Sequence, residues 1–322
     1  MGNATEEYRP AAVGASARGH GLKQRALARA TRNPQPVISR CEPNPSAFRS
    51  QVPPIGICVT ELSTRAMVGA VLSILVALAA RGTRTLSPSG AVVGAIVGTL
   101  CMAAGWSWGV LLLSLFVSAS ALSRIDEKRK QVRISSVVEK GGERDAGQVL
   151  ANGGVFAAAA LGQLLVPSPV WMALGVGAIA TSTADTWATE VGTLSTREPV
   201  SILSGRRVPA GTSGAVTLLG SAAGIAGAAF IAAEAALASW PVSFAAGALG
   251  GVAGALTDSI LGATIQARRW CAACAVSTER KVHGCGAGTS HAAGMRGFDN
   301  DVVNAVCSAV GALVALGVSR LW

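Results

Sequence analysis

The chain has 322 residues, of which 50% are hydrophobic and only 14% are charged, and its formal net charge is +10. Its mean hydropathy is +0.46, and this composition excludes an ordinary soluble domain, in which about 25% of the residues are charged. Lipid admits only helices or closed barrels, so the long runs of Ala, Gly, Val and Leu predict an all-α, polytopic transmembrane helix bundle.

Residues 1–62 precede the first long apolar run and are basic and rich in Arg, Pro, Ser and Ala. This composition predicts a disordered tail. The segment does not resemble a signal peptide, which has an apolar core followed by small residues at a cleavage site. A start codon assigned too early, with Met67 as the true start, is an equally plausible interpretation. Because much of the positive charge lies in this tail, we infer no nucleic-acid partner from it.

Eight apolar runs follow within residues 63–322. Several are shorter than the roughly 20 residues that span a bilayer as a helix. The second and third runs could instead pair as a re-entrant hairpin, so we expect six to eight spans with the polar loops on one face. The runs cover residues 66–80, 90–104, 107–122, 149–165, 169–184, 214–237, 242–264 and 302–319.

The connectors between these runs alternate in charge, and this alternation predicts the topology. Four long connectors carry 17 of the 27 Lys and Arg residues, whereas the short connectors between them carry none. Positive charge marks cytoplasmic loops, so we expect the long connectors on the cytoplasmic face of the inner membrane. They are residues 81–89, 123–148, 185–213 and 265–301.

Four acidic residues stand at the ends of runs on the long-connector side. Asp185 and Glu190 close the fifth run, Asp258 lies in the last turns of the seventh, and Asp301 enters the eighth. A carboxylate within a span costs about 2.5–3.5 kcal/mol on insertion scales, so such acids usually face a cavity and mark a site. We interpret the four as catalytic residues, with Asp185 and Asp258 as Mg²⁺ ligands. Helix capping or contact with water is the alternative.

Groups suited to bind an anion lie on the same side. Arg206 precedes the segment Gly211–Gly214 (GTSG), which we expect to open the sixth span, because free N–H groups at a helix start bind phosphate. An ordinary Ser/Thr cap is the alternative. The stretch Glu139–Gly154 brings further polar side chains to the start of the fourth span. The candidate phosphate-binding residues are Lys140, Arg144, Gln148, Asn152, Arg206, Gly211, Thr212 and Ser213.

Acids that can hold Mg²⁺ and cations that can hold phosphate, converging at one membrane surface, predict phosphoryl or nucleotidyl transfer. The lipid-facing body indicates that the acceptor is a lipid. The sequence has no GxxxxGK[ST] loop, so a nucleotide would not be bound through the P-loop that soluble enzymes use.

Five segments together resemble an integral membrane family that includes transmembrane protein 19 and plant phytyl-phosphate kinase. The segments are EKGGERDAGQVLANG, STADTWATEVG, VPAGTSGAVT, GALTDSILGATIQ and DNDVVN, and the resemblance covers residues 66–322. It implies transfer of a phosphate from CTP or ATP to an isoprenoid (phytyl- or polyprenyl-type) monophosphate. On physical grounds we assign metal or nucleotide contacts to Asp185, Glu190, Asp258 and Asp301, and phosphate contacts to Lys140, Arg144, Asn152 and Thr212.

The last long connector, residues 265–300, contains Cys271, Cys274, His283 and Cys285 in a C-x2-C-x8-H-x-C arrangement. Four such soft ligands can close tetrahedrally on Zn²⁺, which predicts a structural zinc site in this loop. Reduced thiols in a flexible loop are the alternative. A disulfide is disfavoured if this face is cytoplasmic.

Two other functions stay open at this point. An ion-coupled transporter or lipid permease predicts acids spread through the depth of the membrane, whereas here they crowd one side. A non-catalytic scaffold that docks a partner through the zinc loop leaves the acids unexplained. The acceptor's chain length, the nucleotide base and the oligomeric state do not follow from the sequence.

Overall fold

The computed structural model describes residues 59–126, residue 130 and residues 142–321. This part of the chain contains eight α-helices and five short β-strands. The predicted tail lies outside it, except that residues 59–62 already belong to the first helix. The helices are α1 Val59–Gly82, α2 Pro88–Ala104, α3 Trp106–Arg124, α4 Ala146–Leu165, α5 Pro169–Gly192, α6 Leu218–Leu237, α7 Phe244–Thr264 and α8 Asn300–Ser319.

Each predicted apolar run becomes a helix, and two boundaries differ in ways that matter for the site. Helix α5 continues to Gly192, so Asp185 lies inside the helix and not at its end. Helix α6 begins at Leu218, where the Thr217 side chain accepts a hydrogen bond from the Gly220 N–H. The prediction that Gly211–Gly214 opens this helix is therefore wrong.

Six of the described helices are long and apolar enough to cross a membrane: α1, α3, α4, α6, α7 and α8. Helix α2 is shorter, with 17 residues, and Gly105 alone separates it from α3. Helix α5 is long enough, but its second half carries the polar stretch TSTADT. The predicted all-α polytopic bundle is confirmed.

Helix α5 is the centre of the bundle and contacts α3, α4, α6, α7 and α8. Small residues allow this close packing: a Cβ added at Gly311 of α8 would lie 2.8 Å from the Gly250 oxygen and 3.0 Å from the Gly177 oxygen. At the short-connector end, the Trp108 ring packs between Phe156 and Trp240, with ring centroids 5.0 and 4.6 Å away. The core is therefore dense and apolar at this end.

The five strands lie in the long connectors. They are β1 Val200–Ser201, β2 Ala215–Val216, β3 Arg268–Cys271, β4 Val276–Thr278 and β5 Ser290–Ala293. β1 pairs with β2, and β3 pairs with both β4 and β5, all antiparallel.

Contacts among the long connectors join all four at one face of the bundle. The Arg144 N–H donates to the Thr85 oxygen at 2.9 Å, which links the first connector to the second. The Lys130 Nζ donates to Glu190 Oε2 at 2.7 Å, which links the second to the end of α5. The Ser213 hydroxyl donates to the Glu279 carboxylate, which links the third to the fourth. The shared face expected from the charge pattern is thus present.

Candidate functional site

A cavity of about 520 Å³ lies where helices α4 to α8 meet the long connectors. Among the described residues, six acidic side chains and two arginines line it, so its wall carries excess negative charge. The acids are Asp185, Glu190, Asp258, Glu279, Asp299 and Asp301, and the arginines are Arg144 and Arg197.

Ten of the residues selected from the sequence line this one cavity, although they come from five separate segments. They are Arg144, Gln148, Asn152, Asp185, Glu190, Gly211, Thr212, Ser213, Asp258 and Asp301. Arg206 does not: it is exposed in the connector between β1 and β2, where its backbone oxygen accepts from the Ser201 N–H at 2.9 Å and its N–H donates to the Ser204 hydroxyl oxygen at 3.4 Å. Lys140 lies outside the described residues.

Asp185 and Asp258 come together because α5 and α7 cross just before them. Gly254 of α7 packs directly on the Thr181 side chain of α5. Asp258 follows Gly254 by four residues in α7, and Asp185 follows Thr181 by four residues in α5. Both carboxylates therefore project from the turn after the contact, on the same side. Their charges interact, and the Asp258 carboxyl also interacts with the Cys307 thiol. Its Oδ2 atom is buried and accepts no hydrogen bond of normal geometry among the described residues, so it is available to a cation or a water.

The start of α8 brings two further acids to the wall. The Asp299 side chain accepts from the Val302 N–H at 3.2 Å, so this carboxylate caps the helix. Asp301 lies in the first turn, and Asn300 and Asn304 line the cavity beside it. The capping role considered for these acids therefore holds for Asp299.

The start of α4 is fixed by a reciprocal cap. The Gln148 N–H donates to Asp145 Oδ1 at 3.0 Å, and the Asp145 N–H donates to Gln148 Oε1 at 3.1 Å. Gln148 thus has a structural role that the sequence reading did not assign. One turn later, Asn152 Nδ2 donates to the Gln148 backbone oxygen at 3.0 Å.

Arg144 is held at the cavity wall by Ser120, whose hydroxyl accepts from Nη1 at 3.1 Å. Burial lowers the pKa of the Arg144 guanidinium, and the charge of Glu190 opposes that change. An arginine side chain cannot lose its proton under ordinary conditions, so it remains a fixed cation.

The segment Gly211–Gly214 forms a turn against α7. Gly214 has a φ of +74°, and a Cβ added there would lie 2.6 Å from the Ser259 oxygen. Only glycine suits such a backbone at this distance from its neighbour. The turn lines the cavity, but no helix dipole supports it.

Glu279 and Arg197 line the cavity, although the sequence did not single them out. The Glu279 carboxylate accepts from the Ser213 hydroxyl and from Gln266 Nε2, the latter at 2.9 Å. Both residues lie in connectors without hydrophobic periodicity, so no sequence signal could have placed them at the cavity.

One edge of the cavity is apolar. Ile225 of α6 and Val252 and Leu256 of α7 line it, and Ile225 and Leu256 are 57% and 51% exposed. Helices α6 and α7 pack closely nearer their connector, where Gly251 contacts Ala228. The cavity thus lies between the halves of α6 and α7 that are farther from this connector. Its apolar rim faces the surroundings of the bundle.

The predicted zinc ligands also come together. The ligand atoms of Cys271, Cys274, His283 and Cys285 all lie within 4.8 Å of one another. The Sγ atoms of Cys271 and Cys285 are 3.7 Å apart, and His283 Nδ1 lies 3.3 Å from Cys285 Sγ. Hydrogen bonds to His283 and the Ala287 backbone lower the pKa of the Cys285 thiol to about 6.

Comparison with known proteins agrees with this architecture. The family model described as integral membrane protein DUF92 matches residues 71–312. Protein PGR of Arabidopsis thaliana is 32% identical over 273 residues, covering 75% of this chain and 92% of its own length. No solved structure matches the chain.

Two uncharacterised membrane proteins are also similar. One, from Methanocaldococcus jannaschii, is 31% identical over 210 residues, covering 64% of this chain and 85% of its own length. The other, from Synechocystis, is 35% identical over 160 residues, covering 48% of this chain and 61% of its own length. With the family model matching most of the bundle, the chain belongs to the integral membrane DUF92 family.

Proposed function

We propose that this protein is an integral membrane transferase that moves a phosphate from CTP or ATP to an isoprenoid monophosphate. The observation that carries this proposal is the Asp185–Asp258 pair in the cavity, with the buried Asp258 Oδ2 atom available to a cation. Six carboxylates and two arginines line the wall, and Lys130 pairs with one of the six, Glu190, so the wall keeps an excess of negative charge, to which a nucleoside triphosphate would add. The two can share one cavity only if divalent cations lie between them.

The donor set fits Mg²⁺. This cation prefers hard oxygen ligands and is usually bound by one or two carboxylates together with substrate phosphates. Asp185 and Asp258 would hold it, with Asp301 nearby on α8. Bound there, Mg²⁺ would neutralise charge on the transferring phosphate and on the leaving diphosphate.

The arginines complete the site. Arg144 and Arg197 line the wall, and the planar guanidinium fork of an arginine matches phosphate oxygens in a bidentate manner. The Ser120 contact and the backbone bonds of Arg144 fix its position before any ligand arrives. A fixed cation of this kind orients the donor and stabilises the transition state without reorganisation.

The transfer itself requires little proton chemistry. An oxygen of the acceptor monophosphate is already anionic at neutral pH, so it attacks the γ-phosphorus without a general base. The bond from that phosphorus to the β-bridging oxygen breaks, and the nucleoside diphosphate leaves. Catalysis then depends on alignment and on charge neutralisation: the arginines supply positive charge, and the carboxylates would hold the cation that supplies the rest.

The apolar rim supports a lipid acceptor. Ile225, Val252 and Leu256 line the cavity between α6 and α7, two helices that are long and apolar enough to cross a membrane. A prenyl chain could lie between these helices while its phosphate reaches the carboxylates.

A permease is less well supported. Transport across the bundle would require a polar path, but the core near the short connectors is filled by Trp108, Phe156, Val176 and Trp240. Glu234 of α6, an acid at that end, accepts from the Ser114 hydroxyl at 2.7 Å and does not line the cavity. The acids lining the cavity lie beyond Thr181, towards the opposite end of the bundle.

The test is transfer from γ-labelled CTP or ATP to a panel of isoprenoid alcohols and monophosphates, with the protein purified in detergent. We expect labelled diphosphate from the wild type. The rate should fall by about 100-fold or more in Asp185→Asn and Asp258→Asn, since each removes a carboxylate that would hold Mg²⁺ at the reacting phosphates. Asp126→Asn, at an exposed aspartate outside the cavity, is the matched control and should retain the wild-type rate.

A thermal measurement separates the metal site from the reaction. Mg²⁺ should raise the Tm of the wild type but not of Asp258→Asn. Without Mg²⁺, Asp258→Asn should melt at or above the wild-type temperature, because the variant lacks the repulsion between the two aspartates. Absence of any labelled product, together with ion-coupled uptake into proteoliposomes that depends on Asp185, would overturn the proposal in favour of a permease.

A further inference from the structure

Glu279 reaches the cavity from a segment with potential metal ligands on both sides. Cys271 and Cys274 precede it, and His283 and Cys285 follow it. Any ion bound by these four side chains would therefore close a loop of chain that has Glu279 near its middle.

Two tight turns bring the ligands together. Cys274 lies in the turn between β3 and β4, where Ala275 adopts a φ of +53°. His283 begins the second turn: its oxygen accepts from the Gly286 N–H, and its N–H donates to the Ala287 oxygen, both at 2.9 Å. The backbone hydrogen bonds of these turns bring the four ligand side chains close to one another.

We infer that Cys271, Cys274, His283 and Cys285 bind one Zn²⁺, and that this site holds Glu279 in the cavity wall. Three sulfurs and one imidazole are the soft, four-ligand set of structural zinc sites, and they do not suit Mg²⁺. Around a tetrahedral Zn²⁺, two sulfurs lie roughly 3.8 Å apart and a sulfur and a nitrogen roughly 3.5 Å apart, given Zn–S near 2.3 Å and Zn–N near 2.0 Å. The Cys271–Cys285 Sγ separation of 3.7 Å matches the first value, and the His283 Nδ1–Cys285 Sγ separation of 3.3 Å is close to the second.

The segment buries little apolar surface, although its strands pair and Arg269 Nε donates to the Thr289 hydroxyl at 2.7 Å. Its strands are three or four residues long, and Trp270 and Val282 are 42% and 60% exposed. Small segments that bury little apolar surface commonly depend on a metal for their fold. Glu279 in turn accepts a hydrogen bond from Ser213 in the Gly211–Gly214 turn. A zinc ion that orders residues 271–285 would therefore also stabilise that turn through this hydrogen bond.

The metal is tested by its content in the purified full-length protein, measured by mass spectrometry of the elements. We expect one zinc per chain in the wild type and loss of most of it in His283→Asn and Cys285→Ser. His291→Asn, a histidine on β5 outside the four-residue cluster, is the matched control and should keep its zinc. A wild type without zinc, a different metal in its place, or zinc retained by both ligand variants would overturn the assignment.

Hydrogen exchange tests the link to the cavity and does not depend on any transfer activity. Chelating the zinc should speed exchange by about tenfold or more both in residues 276–282 and in residues 211–215. In Glu279→Ala, which retains all four ligands but removes the acceptor of the Ser213 hydroxyl, exchange should rise in residues 211–215 even with zinc bound. Faster exchange confined to residues 276–282 would show a purely local metal site and overturn the link. A wild type that binds zinc but has no kinase activity would contradict the proposed function. It would not contradict the zinc site or its link to the cavity.

Discussion

Glu190 and Lys130 show how a single ion pair can shape the cavity wall. Lys130 is 5% exposed, and its ammonium donates to Glu190 Oε2 at 2.7 Å and to the Leu122 oxygen at 2.6 Å. The sequence predicted Glu190 as a catalytic acid, but one of its oxygens binds this buried cation. We therefore interpret Glu190 mainly as the counter-ion that keeps Lys130 at the end of α5.

We predict that Glu190→Gln lowers the free energy of unfolding by about 3 kcal/mol, because it leaves the buried Lys130 ammonium uncompensated. The double variant Glu190→Gln/Lys130→Met should lose less than the single variant. Thermal or denaturant unfolding in detergent measures both. A double variant as unstable as the sum of the two single changes would show that the ion pair does not stabilise the fold.

The central helices cross at glycines, and this crossing positions the aspartates. Gly177 of α5, Gly250 of α7 and Gly311 of α8 lie so close that their backbones touch. In lipid, helices associate through such close packing and not through the hydrophobic effect. The depth at which the three helices meet decides where Asp185, Asp258 and Asp301 lie relative to one another.

We predict that Gly311→Ala destabilises the bundle by about 1–3 kcal/mol, since the added methyl group would overlap Thr181 and the Gly250 backbone. Gly317→Ala, in the same helix with no neighbour within 4 Å, is the matched control. It should change stability by less than about 1 kcal/mol, in the stabilising direction, because alanine favours a helix more than glycine does. The Tm of each variant measures this difference. An equal loss of Tm in the two variants would contradict the packing role of Gly311.

At the scale of the whole molecule, the distribution of charge predicts how the bundle lies in the membrane. The four long connectors carry 17 of the 27 Lys and Arg residues, and contacts among them join them at one face. Lys and Arg are retained on the cytoplasmic side during insertion, so the polar cavity should open to the cytoplasm, where nucleoside triphosphates are made.

We predict that Ser204→Cys reacts with a membrane-impermeant maleimide only in inside-out vesicles, and Ala238→Cys only in right-side-out vesicles. Ser204 lies in a long connector and Ala238 in a short one, and both are exposed. Peptide mass spectrometry assigns the label to its cysteine, which separates these positions from the native thiols. Labelling of both positions from the same side would contradict the topology.

The sequence alone determined the eight helices, the membrane class and the side on which the polar residues gather. These features depend on local composition and on charge, which can be read along the chain without knowing any contact. The Cys271–Cys285 cluster could also be predicted, because its ligand spacing lies within one short connector.

Only the tertiary structure decided how the site is built. It continued α5 past Asp185, made Gly211–Gly214 a turn on α7, left Arg206 outside the cavity and brought Glu279 into it. Such placements depend on which helices cross and at what depth, and close backbone contacts between distant glycines determine that. A contact between residues far apart in sequence leaves no periodic pattern in either segment, so sequence reasoning could list most of the cavity's residues but could not arrange them.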